Sequence, residues 1–256
     1  MHQGNERARR GEPVEPTLVD LFCGAGGLSL GFAMAGFRLI RAPDHYPAAV
    51  KTYRRNLGDH VTCAEITEDT ELPPATVIAG GPPCQGFSSA GMRRAGDHRN
   101  SLVTCFAQLI VRHKPLAFVF ENVEGFLTAE DGARVLDLLD PVIGAGYRVH
   151  LRKVNAANYG VPQHRKRVIV IGELGWDPSF PPPTHRAHGA PGADLVSGRL
   201  PLTPSLSDAL RGLPEPSIGE SDDPLDHSYT PLQGMDLKRA EALEPGQTMR
   251  YLPKEL

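Results

Sequence analysis

The sequence is poor in cysteine, and its four thiols, Cys23, Cys63, Cys84 and Cys105, fall into no paired spacing. That pattern supplies neither a disulfide framework nor a set of metal ligands. It fits a reducing, cytoplasmic compartment. Long hydrophobic runs are also missing. No stretch approaches the roughly 20 apolar residues that cross a bilayer. The N-terminal segment 1–16 is charged and has no apolar core of a secretory signal, so it reads as a disordered tail. An excess of positive charge is absent too: the formal net charge is −3. This counts against a free-standing nucleic-acid binder, although Arg93, Arg94, His98 and Arg99 form one local basic cluster and His164, Arg165, Lys166 and Arg167 another. There is no internal repeat.

What is present is an ordinary globular composition, with 40% hydrophobic and 22% charged residues in 256. A chain of this size can bury a substantial core without covalent staples. Residues 17–172 alternate between strand-like and helix-like patterns. Strands are predicted at Thr17–Phe22, Arg38–Ala42, Thr76–Ala79, Leu116–Phe120, Tyr147–Val154 and Val168–Ile171. Helices are predicted at Leu28–Gly36, at Pro47–Asn56, along the face Leu102, Val103, Phe106, Leu109 and Ile110, and at Val135–Ile143 with an interruption at Pro141. Such alternation implies an α/β fold with a mostly parallel, doubly wound sheet. Residues 173–256 hold 13 of the chain's 24 prolines and lose the periodicity. They read as an irregular Pro-rich C-terminal extension.

Four segments carry chemistry. In Asp20-Leu21-Phe22-Cys23-Gly24-Ala25-Gly26-Gly27 a strand runs into small residues that let a ligand approach the backbone. Asp44 follows the next strand, about 20 residues on, where dinucleotide-type folds hold ribose hydroxyls. The loop could equally be a tight turn of any α/β protein. In Gly80-Gly81-Pro82-Pro83-Cys84-Gln85-Gly86-Phe87-Ser88 a cysteine follows a strand end, where open α/β sheets build sites. Cys63 and Cys105 read instead as small buried hydrophobes, and Cys23 as a structural part of the glycine loop. Glu121-Asn122-Val123 follows an apolar strand. A carboxylate there is partly desolvated and suited to sharing a proton, though a cap or a surface ion pair fits the tripeptide as well. Gln163-His164-Arg165-Lys166-Arg167 places arginines that can clamp a phosphate or a base carbonyl, or form a charged turn.

Taken in order, the four segments resemble the DNA (cytosine-5-)-methyltransferase family. The resemblance is close over residues 17–172 and looser beyond. It implies a Rossmann-like fold that binds S-adenosylmethionine through Phe22, Gly24, Ala25, Gly26, Asp44, His45, Glu65, Ile66, Pro82 and Leu102. Relatives often carry Glu where Asp44 stands, and Asp-Ile where Glu65-Ile66 stands. It further implies that Cys84 is the nucleophile, with Glu121, Arg165 and Arg167 around the reacting base. Double-stranded DNA would be the partner, with Gln85, Ser88, Arg93, Arg94 and Arg99 in a loop closing over a flipped cytosine. Gly86-Phe87-Ser88 favours DNA over transfer RNA, since transfer-RNA enzymes of this build carry Pro-Phe-Thr there. Full-length relatives continue into a target-recognition region that these residues do not include. The expectation is a split enzyme completed by a second subunit, or a truncated reading frame, which could also be a non-catalytic remnant.

Overall fold

The computed structural model describes residues 15–83, 101–187, 200–219, 228–244, 247 and 251–253. The chain divides at Pro204/Ser205 into two compact units.

The first unit is organised by one seven-stranded sheet. In chain order it comprises β1 (Thr17–Leu21), α1 (Gly27–Met34), β2 (Arg38–Asp44), α2 (Pro47–Leu57), β3 (Val61–Cys63) and β4 (Val77–Gly80). There follow α3 (Ser101–His113), β5 (Ala117–Val123), α4 (Ala133–Gly144), β6 (Arg148–Asn155) and β7 (Lys166–Glu173). The strand order is β3-β2-β1-β4-β5-β7-β6. The first five strands pair in parallel, while β7 lies antiparallel to both β5 and β6. The order reverses between β1 and β4, the position where open sheets of this kind open a crevice.

Alternation within the strands directs residues to two cores. Val19, Leu21, Ile78, Phe118, Phe120, Val168 and Val170 face α3 and α4. Leu18, Val77 and Ala79 face the opposite way, against Leu28 and Phe32 of α1. The sheet is therefore covered by helices on both faces, as parallel strands require. Helix α2 forms because Pro47 starts it and Val50 and Tyr53 recur on one face, with Leu57 beside them. Helix α3 buries Val103, Phe106, Ala107 and Ile110 at the same spacing.

Three differences from the sequence reading have clear causes. Helix α4 runs through Pro141. A proline in the last turn removes a single ladder bond, and burial of Leu138 and Val142 holds the turn in place. Strand β5 starts later and runs three residues further than its apolar stretch, through Glu121, Asn122 and Val123, because β7 pairs with it up to Val123↔Arg167. Cys63 is exposed rather than buried, since it ends a three-residue strand at the sheet's outer edge. Cys105 is buried as expected.

Beyond β7, residues 174–187 and 200–204 return to the sheet. Leu174 packs against the main core, Tyr159 donates to the Pro181 carbonyl, and buried Thr203 donates to the Ala157 carbonyl. The second unit contains α5 (Leu206–Leu210), the two-residue strands β8 (Ser217–Ile218) and β9 (Ser228–Tyr229), and α6 (Gly234–Glu241). None of its described residues is buried. No helix among the described residues is long and apolar enough to cross a membrane.

Candidate active site

The loop after β1 is built around a strained residue. Phe22 adopts a left-handed backbone with φ 58°, a conformation that costs a bulky side chain of order 1–3 kcal/mol. The strain turns the chain sharply and brings its ring into a crevice. Gly26 follows, with φ 97°. A Cβ there would lie 2.4 Å from Leu57 Cδ1 and 2.8 Å from Tyr53 Cδ2, so only glycine lets the loop settle onto α2. The α1 N-terminus has no side-chain cap, which leaves backbone N–H groups directed at whatever lies ahead of the helix.

Asp44 ties this loop to β2. Its Oδ2 accepts from Gly24 N at 2.9 Å and its Oδ1 from Tyr46 N at 2.8 Å. The buried carboxylate is thereby fixed in orientation. Two adjoining lobes of a crevice open beside it. One, of about 320 Å³, is lined by Phe22, His45, Ala64, Glu65, Ile66, Pro83 and Leu102. The other, of about 380 Å³, includes Gly24, Asp44, Tyr46, Ala49 and Gly81. Together they have the size and mixed apolar and polar lining of a small-molecule site.

A second cluster stands at the ends of β4, β5 and β7. Glu121 pairs across the sheet with Ile169 and Val123 with Arg167, so Glu121 and Arg167 are diagonal neighbours on one face. Their long side chains close the gap: Arg167 Nε lies 2.8 Å from Glu121 Oε1. Each is partly open, with side-chain exposures of 22% and 33% for the arginine and the glutamate. Gly81 lies against the same carboxylate, and a Cβ there would stand 3.0 Å from Glu121 Oε2. Asn122, on the opposite face and buried, donates from Nδ2 to the Pro82 carbonyl at 3.3 Å and accepts from Val123 N at 2.8 Å. It therefore pins the stretch that runs into residue 84.

Of the residues singled out in the sequence, the crevice brings together Phe22, Gly24, Asp44, His45, Glu65, Ile66 and Leu102. Ala25 is exposed, and Gly26 serves loop packing rather than the lining. Pro82 is buried beside Asn122, while its neighbour Pro83 lines both lobes. Arg165 sits just before β7, exposed, with its backbone N–H on Asn155 Oδ1. It makes no ion pair among the described residues. Cys84, Gln85, Ser88, Arg93, Arg94 and Arg99 lie outside the described residues. Sequence reasoning missed Tyr46, Ala49, Ala64 and Asn122 as site residues. Asn122 stood in plain view beside Glu121, but its role depends on a bond to a distant loop.

Burial pushes the Cys23 thiol far above its ordinary range, helped by the charges of Asp20 and Asp44, and pushes Cys105 up to about 11. Neither is a ready thiolate.

Gly81→Ala tests the geometry around Glu121. The new methyl must displace the carboxylate by a few tenths of an ångström. Where this carboxylate meets a reacting group, the expected result is a loss of activity of about tenfold or more, since small misplacements of reacting groups are costly, with unfolding free energy changed by less than about 1 kcal/mol. Unaltered activity would show that the position of this carboxylate is immaterial.

The strand order with an antiparallel β7, the glycine loop and the acidic residue that ends β2 define an α/β methyltransferase fold. Comparison with known proteins narrows the class. The family model for C-5 cytosine-specific DNA methylases matches residues 17–187, and the chain belongs to that family. It is 37% identical over 206 residues to the Type II methyltransferase M.AgeI of Thalassovita gelatinovora, an alignment covering 75% of this chain and 48% of that protein. It is 35% identical over 223 residues to the Type II methyltransferase M.AquIA of a Picosynechococcus species, covering 78% of this chain and 90% of that one. A solved E. coli prophage protein described as a DNA modification methyltransferase superposes with a TM-score of 0.64 at 29% identity, over 81% of this chain and 58% of that one. The chain thus spans about half the length of M.AgeI and of M.BspRI from Lysinibacillus sphaericus, two of the curated relatives it matches.

Proposed function

We propose that this chain is the catalytic part of a DNA cytosine-5 methyltransferase. The observation that carries the reading is the adjacency of two clusters. The crevice lined by Phe22, Asp44 and Pro83 continues through Gly81 to the Glu121–Arg167 pair, and Cys84 directly follows Pro83 in the chain.

The crevice fits S-adenosylmethionine in size and donor set. The open N–H groups at the start of α1 suit its carboxylate. The Asp44 carboxylate, already oriented by two backbone donors, suits its ribose hydroxyls. Phe22, Ile66 and Leu102 offer apolar walls to its adenine, with His45 and Glu65 at the edge. When bound, this group supplies an electrophilic methyl on a sulfonium.

The rest of the chemistry belongs to the chain. Cytosine C5 is a poor nucleophile because the ring is electron-poor. Addition of the Cys84 thiolate to C6 places an electron pair at C5 and makes it enamine-like. After methylation, loss of the C5 proton expels the thiolate and restores the ring. Glu121 would give a proton to N3 and accept from the exocyclic amine, so that the ring stays neutral as the thiolate adds to C6. Arg167 would contact the base carbonyl, with Arg165 beside it. A base inside a duplex is out of reach, so it must be flipped out at a cost of a few kcal/mol. Gln85, Ser88, Arg93, Arg94 and Arg99 would close on it and on the phosphates. Cys63 is a poor alternative nucleophile. It ends β3, four strands from β5, or roughly 19 Å at the usual strand spacing.

Sequence-specific transfer would require a recognition region supplied by further polypeptide, in the same chain or as a second subunit. The near-complete coverage of M.AquIA supports a separate polypeptide of this extent. Calorimetry with S-adenosylmethionine, followed by transfer of labelled methyl groups into duplex DNA with and without a recognition polypeptide, tests both parts. The chain alone should bind the cofactor, and Asp44→Ala should weaken binding about 10- to 100-fold, as expected for losing charge-assisted hydrogen bonds. Failure of the unaltered chain to bind would overturn the cofactor assignment. Sequence-specific transfer by residues 1–256 alone would overturn the need for a recognition region.

A further inference from the structure

Beneath the glycine loop lies a buried acid that makes no ion pair among the described residues. Asp20, near the end of β1, is 2% exposed, and the charge that acts on it is that of Asp44, a like charge. It is instead the end of a hydrogen-bonded chain. Asp20 Oδ2 accepts from Ser29 Oγ at 2.6 Å, and Ser29 Oγ accepts from the Tyr53 hydroxyl at 2.8 Å. The Tyr53 oxygen in turn lies 2.9 Å from His60 Nε2. Asp20, Ser29 and Tyr53 are buried. His60 is half-buried and forms the end nearest solvent.

The proton count fixes the polarity of this chain. Tyr53 has a single hydroxyl proton. With that proton on Ser29, His60 must donate through Nε2–H, and every donor points inward at the Asp20 carboxylate. An opposite arrangement is equally complete. A proton arriving at His60 Nδ1 lets Nε2 pass its proton to Tyr53, Tyr53 pass its own to Ser29, and Ser29 pass its own to Asp20. Each hydroxyl still carries one proton, Asp20 is neutral, and His60 Nε2 has become an acceptor.

We propose that Ser29, Tyr53 and His60 are positioning residues that form a reversible proton path from solvent to Asp20 and couple its charge to the set of the glycine loop. The coupling has a structural route. Ser29 lies in the first turn of α1, and the Tyr53 ring fills the space that a Cβ on Gly26 would need. Asp44, which grips Gly24, faces Asp20 from β2 as a like charge. The other titratable groups around the chain are Cys23 at the loop, Tyr53 on α2, and His60 with Asp59 in the turn before β3. Ser29 on α1 and Ala79 on β4 add no charge. Burial raises Asp20 to about 7, keeps Tyr53 protonated, and holds His60 below its ordinary value. Asp20 therefore changes charge near neutral pH while its neighbours in the path stay neutral.

The inference rests on the reading that this loop holds S-adenosylmethionine, whose sulfonium is positive while its demethylated product is neutral. Ionised Asp20 favours the positive ligand. Binding of S-adenosylmethionine to the full chain should tighten about 3- to 10-fold from pH 6 to pH 8.5, equivalent to a pKa change of up to about one unit on binding. Binding of S-adenosylhomocysteine should change less. Tyr53→Phe keeps the ring under Gly26 but deletes the hydroxyl, and should weaken binding about 5- to 10-fold. His60→Phe keeps an aromatic contact but leaves the Tyr53 proton without an acceptor when Asp20 is neutral. It should lower the midpoint of the pH dependence by about one unit. Circular dichroism would confirm that both variants fold, and the exposed end at His60 makes the second variant the safer. A flat pH profile in the unaltered chain, or a His60→Phe midpoint equal to it, would overturn the proposal. If the unaltered chain binds neither ligand at any pH, the cofactor reading fails instead.

Discussion

Cys84→Ser is expected to reduce methyl transfer by about 10⁴-fold or more, because it removes the atom that activates the ring rather than one that aids it. A serine hydroxyl has a far higher pKa than a thiol and is scarcely ionised at neutral pH, so addition to C6 becomes negligible. The measurement is direct. Duplex DNA carrying 5-fluorocytosine in the recognised sequence, with S-adenosylmethionine and any recognition polypeptide, should trap a covalent adduct, because fluorine at C5 cannot leave as a proton does. Peptide mapping should place the adduct at Cys84, and Cys84→Ser should form none. An adduct at Cys63, or transfer at an undiminished rate by the serine variant, would end the assignment. The buried thiols Cys23 and Cys105 should remain unmodified, given that burial raises both.

Glu121→Gln is expected to cost about 10²- to 10³-fold in transfer rate, the range typical of removing one preorganised group that answers developing charge. The amide keeps the size and one acceptor of the carboxyl group but has no proton to give to N3. The same substitution should shift unfolding free energy by no more than about 1 kcal/mol, since the Glu121–Arg167 pair is partly solvated and such pairs contribute little to stability. This division between rate and stability is the informative part. A purely structural ion pair would give the reverse pattern, with a modest rate change and a comparable loss of stability. Kinetics on the complete system and thermal unfolding of the same preparations would distinguish the two.

Much of the architecture was readable along the chain. The six expected strands and four expected helices all occur, because each carried its own period of apolar residues and its own turn signals. Strand β3 was not foreseen, since three residues at a sheet edge give no periodic signal. The local signal also failed at the end of β5. Glu121 and Asn122 are polar and look like the start of a loop, yet pairing with β7, more than 40 residues later, draws them into the sheet. Cys63 misled for a related reason: its exposure depends on its strand being outermost.

The site divides along the same line. Glycines that tolerate a left-handed turn, an acid at the end of the second strand, and a cysteine after two prolines are properties of short segments, and the sequence alone determined those. It also determined that helices cover both faces of the sheet, because the alternation of strand-like and helix-like segments runs along the chain. Only the tertiary structure decided that Arg167 reaches Glu121 from a diagonal position, that Asn122 holds the Pro82 carbonyl, and that Asp20 is joined to His60 through Ser29 and Tyr53. Each of these joins residues that lie on different elements of the fold. Strand register and helix packing set such distances, and no single segment encodes them.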